Sequence, residues 1–154
     1  MSGTNFGFDF NPTVDRMGVV SDNRQNLRLH PDLGTVAAID GNINPGSPNI
    51  SASAYTNNFA GATATVLFAI DHTADKLYTQ NPPNNGTLVE TGSLGINIDA
   101  SNGFDIGSSS GKAYGIFSVG SSRSIYTVNV TNGVATKMAD FSRPVRAFTL
   151  GLAQ

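Results

Sequence analysis

Apolar and polar positions alternate along Phe6-Gly7-Phe8-Asp9-Phe10, so three phenylalanines project from one face of a strand that Asn11-Pro12-Thr13 ends. Short apolar runs at 16–20, 26–30 and 35–39 follow, divided by a polar turn at 21–25 and by Pro31–Gly34. They predict four strands, after which 41–48, with Pro45-Gly46 and Pro48, is a connector. The pattern starts again with strands at 50–57, 65–70, 76–80 and 87–91, the last two parted by Asn81-Pro82-Pro83-Asn84-Asn85-Gly86. A third unit opens on Gly103-Phe104-Asp105-Ile106 and continues through 113–118, 124–129 and 134–141. One further strand, Val145 to Leu150, stands after it.

Two features mark these units as repeats. A turn pattern, an apolar strand end followed by Asx or His and then by Gly or Asp, occurs at Leu29–Gly34, Ile70–Asp75 and Val128–Gly133. Phe8, Tyr55, Phe104 and Phe148 fall in successive opening strands, spaced by 47, 49 and 44 residues. Four strands per repeat of this length is the signature of a propeller blade. The expected fold is all-β: one domain over 1–154, with propeller-blade-like units at about 4–40, 50–92 and 102–142 and an extra strand at 145–150. Closed propellers use about 4 to 8 blades, so three units and a strand are not a closed propeller alone. No stretch reads as a helix, because the nearest candidates carry Gly, Pro or β-branched residues.

Composition narrows the function. With 13% charged residues and a net charge of −2 there is no basic footprint for nucleic acid or a membrane surface. No run approaches the roughly 18 apolar residues of a membrane span, and Met1–Thr4 lacks a basic region followed by an apolar run. Absence of cysteine removes disulfides, thiol catalysis and thiolate metal sites. The polar surface is built from 16 Asn, 15 Ser and 14 Thr, with three Lys and the single Glu90, a composition expected of an extracellular or cell-surface bacterial protein. Asn49, Asn85 and Asn129 head Asn-x-Ser/Thr triplets and are candidate glycan acceptors.

Several blocks carry a family resemblance: Gly7-Phe8-Asp9-Phe10-Asn11-Pro12, Val19-Val20-Ser21-Asp22, Gln25-Asn26-Leu27-Arg28, Ala54-Tyr55-Thr56-Asn57-Asn58, Gln80 to Leu88, and Gly103-Phe104-Asp105-Ile106. Together they resemble the bacterial family called domain of unknown function 4394, over nearly the whole chain. The resemblance implies a secreted protein of propeller-like β-repeats and carries over no catalytic residue.

Candidate chemistry is sparse. His30 and His72 sit in or beside the repeated turn, without the His-x-x-x-His spacing and converging ligands of a zinc site, so no metal and no cofactor is expected. Asp71 and Asp75 would suit a calcium loop, but the alternating acids and closing Glu of an EF-hand are missing. Asp9 and Asp105 occupy equivalent positions facing away from the phenylalanines; as a pair they would serve glycoside hydrolysis, while repeat symmetry explains them structurally. No serine lies in a nucleophile elbow. Gly103, Gly107 and Gly111, with Ser108–Ser110, lack the Lys-Ser/Thr of a phosphate loop and read as a flexible hairpin. Tyr55, Tyr78, Tyr114 and Tyr126 would stack on sugars if exposed, but strand aromatics belong mostly to cores.

The expected protein is therefore not an enzyme. Opening strands number four against three of every other strand, which leaves a surplus. Terminal strands bearing Phe6, Phe8 and Phe10 at one end and Val145, Phe148 and Leu150 at the other, with Leu152 continuing that second face, are unprotected edges. Pairing between chains would be head-to-tail and would propagate. The expectation is a structural subunit of an extracellular filament or matrix whose partner is itself. The alternative is a compact monomer in which 145–150 pairs within its own chain, serving as a binding module for glycans.

Overall fold

The computed structural model describes residues 1–145 and 147–151. Among these residues twelve strands form three four-stranded antiparallel sheets, each a meander of sequence neighbours. Sheet 1 holds β1 (Phe6–Asn11), β2 (Arg16–Ser21), β3 (Asn26–Leu29) and β4 (Val36–Ile39). Sheet 2 holds β5 (Ile50–Tyr55), β6 (Leu67–Asp71), β7 (Lys76–Gln80) and β8 (Leu88–Ser93). Sheet 3 holds β9 (Ala100–Ile106), β10 (Ala113–Val119), β11 (Ser122–Val128) and β12 (Ala135–Asp140). The one helical element among the described residues is the short 3-10 turn Pro83–Asn85. The chain is thus all-β, with three blade-like units in the expected order.

Sheets 2 and 3 share the larger core. Ala52 and Ala54 of β5, with Phe68 and Ile70, meet Phe104 and Ile106 of β9, with Phe117, Tyr126 and Val128. Phe117 is fully buried and stacks on Tyr126 at 5.4 Å between ring centroids. Leu94 and Ile98, from the connector between these sheets, are buried in the same core.

The joint between sheets 1 and 2 is more polar. Val20 packs with Ile43, Ile50, Ala69 and Leu88. Around them the connector 41–44 and the loop 81–86 exchange backbone bonds: Gly41 N–H donates to Asn84 O, and Asn44 N–H to Gly86 O, each at 2.9 Å. The Asn26 side chain donates to Gly41 O and Pro83 O. The block Gln80–Leu88 is therefore a docking loop, and Gly86, at φ 68°, lies where a Cβ would strike the carbonyl of Gly41.

Two details of the repeat differ from the sequence reading. His30–Thr35 and Asn129–Val134 both join the third and fourth strands of a sheet and close with the same two backbone bonds. The turn after Ile70 joins the second and third strands and is closed by the Asp71 carboxylate, which accepts from Thr73 and Ala74 N–H. His30 and His72 thus occupy different places in their units. Gly107–Lys112, read as a flexible loop, instead closes with the bond pattern of His30–Thr35, Gly111 taking φ 63° as Gly34 does.

Candidate functional site

The opening strands β1, β5 and β9 wall one cavity of about 400 Å³, and residues 147–149 of the C-terminal segment complete the wall. In propeller terms these are the inner strands, with 147–150 in the inner position of a fourth unit.

A side-chain clamp repeats between neighbours. Asp9 accepts from the backbone N–H of Tyr55 at 2.6 Å, 46 residues on. Asp105 accepts from the N–H of Leu150 at 2.7 Å, 45 residues on, and from the Thr149 hydroxyl at 3.0 Å. Two residues before each aspartate a glycine lets the next segment approach: a Cβ on Gly7 would stand 2.5 Å from Ser53 N, and one on Gly103 2.7 Å from Phe148 N. These contacts match Gly7 with Gly103, Tyr55 with Leu150 and Ser53 with Phe148. The true phase therefore runs through Phe8, Ser53, Phe104 and Phe148; Tyr55 lies two residues beyond the expected register, because a close backbone approach, not an aromatic side chain, fixes the position.

The equivalence exposes an asymmetry. Phe104 and Ile106 are buried against sheet 2, whereas their counterparts in β1, Phe8 and Phe10, are each 50% exposed and meet edge-on at 6.0 Å. Across the sheet Phe8 pairs with Val19 and, beyond it, Leu27, both buried, and the row ends at Ile39, which is 80% exposed. Phe6 is half-buried.

At the other end the C-terminal segment folds back on its own chain. Val145, Phe148 and Leu150 are half-buried, while Ala147 and Thr149 are exposed. Arg123 donates to the carbonyl of Arg143. From 142 onward no backbone-to-backbone bond is made among the described residues; the Asp105 clamp and the Gly103 contact hold the segment in place. Leu152, which the sequence assigns to this face, lies outside the described residues, as does Arg146.

Asp9 has a perturbed carboxyl group. Burial pushes its pKa up to about 7, the neighbouring charge of Asp105 pushes the same way, and the N–H bonds from Tyr55 and Phe10 oppose the shift. The other candidates are turn and core residues. Asp75 accepts from Ile98 N–H, and among the described residues no three His, Asp or Glu side chains converge on a metal site. Tyr55 and Tyr126 are buried and Tyr78 and Tyr114 half-buried, so none forms an open stacking platform. Of the glycan acceptors, Asn85 and Asn129 are exposed; Asn49 is half-buried and its carbonyl meets His72.

The strand alternation of β1 and β9 made Asp9 and Asp105 visible as a pair in the sequence; the clamp was not, because the N–H donors of Tyr55 and Leu150 are backbone groups that leave no side-chain signature. A family model described as "Domain of unknown function (DUF4394)" matches residues 1–150. No curated protein matches the chain.

Proposed function

We propose, from the premise that the chain belongs to the DUF4394 family, that it is a non-catalytic subunit of an extracellular bacterial filament or matrix, assembling head-to-tail through its two ends. The observation that carries this reading is the uncovered face of β1. In sheet 3 the same positions, Phe104 and Ile106, rest on the small residues Ala52 and Ala54 of the preceding inner strand. The register of the Asp105 clamp puts Ala147 and Thr149 in the places of Ala52 and Ala54, and both are exposed. One copy thus presents small residues where the next presents Phe8 and Phe10. Such a contact joins two different patches, so it repeats from copy to copy and builds a ring or a fibre. Neither patch contains a nucleophile or a metal site, which suits a structural role.

Light scattering across a dilution series, with negative-stain electron microscopy of the same sample, tests the proposal. Regular polymers in the native protein and monomers in a Phe8→Ser, Phe10→Ser variant are expected, with an unchanged far-ultraviolet circular dichroism spectrum, since both residues are half exposed. A native protein that stays a 16.0 kDa monomer at every concentration overturns it. Glycan-dependent retention of that monomer would then support the alternative, a monomeric extracellular binding module for glycans.

A further inference from the structure

The cavity between the inner strands has a composition unlike the rest of the molecule. Five of the nine phenylalanines in the chain line it: Phe6, Phe8, Phe10, Phe104 and Phe148. Among the described residues that line it, the formally charged ones are Asp9 of β1 and Asp105 of β9. No Lys, Arg or His appears among the described residues lining it or the recess that continues it past Asn58 and Ser108. The bonds that satisfy the two carboxylates come from neutral donors: Tyr55 and Phe10 N–H and the Asn58 side-chain amide for Asp9, and Leu150 and Ile106 N–H with the Thr149 hydroxyl for Asp105. Neither negative charge therefore meets a countercharge among the described residues, although buried charges are ordinarily paired. Ser51, 4% exposed and also on the wall, has a hydroxyl with no hydrogen-bond partner. A cavity of this volume falls within the range of small-ligand sites.

Aromatic walls and uncompensated carboxylates select one kind of guest. The faces of aromatic rings attract cations, and quaternary ammonium groups are bound in aromatic cages on this principle. A methylated ammonium also presents an apolar surface to the ring edges, while its charge answers the carboxylates. We infer that the cavity between the inner strands is a binding site for a small alkylammonium cation, seated among Phe6, Phe8 and Phe10 and balanced by Asp9 and Asp105. Ser51 then supplies a hydroxyl for a polar substituent on the guest. The elevated pKa of Asp9 agrees with this, because burial and the charge of Asp105, the two influences that raise it, are those a bound cation offsets.

The cavity shares Phe8, Phe10, Ala147 and Thr149 with the contact proposed above, so the inference is tested on the whole chain at a dilution where light scattering finds monomers, by calorimetric titration at pH 8, where Asp9 is mostly ionised. The probes are choline and its neutral isostere 3,3-dimethylbutan-1-ol, which share shape and differ in charge. Choline is expected to bind at least tenfold more tightly than the isostere. Asp9→Asn should remove that preference, and Phe8→Leu, which keeps an apolar side chain at a half-exposed site, should weaken choline severalfold while sparing the isostere. Thermal melts establish that both variants fold; should Asp9→Asn fail to fold, Phe8→Leu and the isostere comparison decide alone. Equal binding of the two probes, no binding of choline by the native chain, or undiminished choline binding in the folded variants overturns the site.

Discussion

Single residues set the joints of this fold, and the two clamp aspartates do so with different consequences. At Asp105, replacement by Ala removes an acceptor from Leu150, Thr149 and Ile106; hydrogen bonds to a charged acceptor are worth about 1.5–3 kcal/mol each. The expected outcome is rapid amide exchange at 147–151 by mass spectrometry, with the sheets still protected. The glycines two residues earlier separate in the same way. Gly7→Ala forces a methyl group against the backbone of β5, an overpacking that costs about 1–3 kcal/mol and should lower the urea midpoint of the whole domain. Gly103→Ala drives its methyl group against Phe148 of the C-terminal segment and should loosen that segment. Acidity gives a further test. Asp9 rises from 3.8 to about 7 on folding, so the folded state holds its proton more tightly; the stability this provides is complete below pH 3.8 and is lost as pH climbs through 7. Asp22, lowered to about 2 by bonds from Thr4 and Asn5 that outweigh its burial, acts oppositely, and its contribution disappears as pH falls from 3.8 toward 2. Between pH 5 and 8 the urea midpoint should therefore fall in the native protein and fall less in Asp9→Asn.

At the scale of elements, the strands were largely legible in the sequence. β1 alternates cleanly, and turn residues bracket β2, β3 and β6, because each needs a backbone reversal before the next run. What periodicity did not disclose is what lies over each face. By alternation alone the stripe Phe8-Phe10 is indistinguishable from Phe104-Ile106, yet one pair is half exposed and the other buried, since the second pair packs in the core that sheets 2 and 3 share. Nor did the run 145–150 reveal that it would be held by a carboxylate in place of a ladder; an extended apolar sequence looks the same either way. A chain ending at Arg143 should consequently keep its far-ultraviolet spectrum and lose its capacity to polymerise, as read by circular dichroism and light scattering. Unfolding of that truncation would show that the segment belongs to the core.

For the molecule as a whole, the three joints rest on different physics. Sheets 2 and 3 are joined by a contiguous apolar core, sheets 1 and 2 by the Asp9 clamp, a small apolar cluster and backbone and amide bonds around the connector 41–44, and sheet 3 and its C-terminal segment by the Asp105 carboxylate without such a cluster or connector. Repetition of the strand pattern foretold the units but not this division, because residues at the joints come from connectors with no repeat of their own: Ile43, Leu94 and Ile98 are each 2% exposed or less. The candidate site was legible only in part. Its phenylalanines and aspartates stand out along β1 and β9, whereas their convergence with 147–149 on one cavity depends on how far the sheets turn around the common axis.

The absence of a backbone ladder among the described residues of the C-terminal segment sets how a chain of such subunits would behave under tension. Strands in a sheet resist a pull along their length together, since many bonds must break at once. A segment held by one carboxylate and a glycine contact gives way bond by bond and at low force. If copies are joined through that segment, a stretched filament would part there while every sheet stays folded. Because the freed ends remain intact, the same two surfaces would meet again once the load is removed.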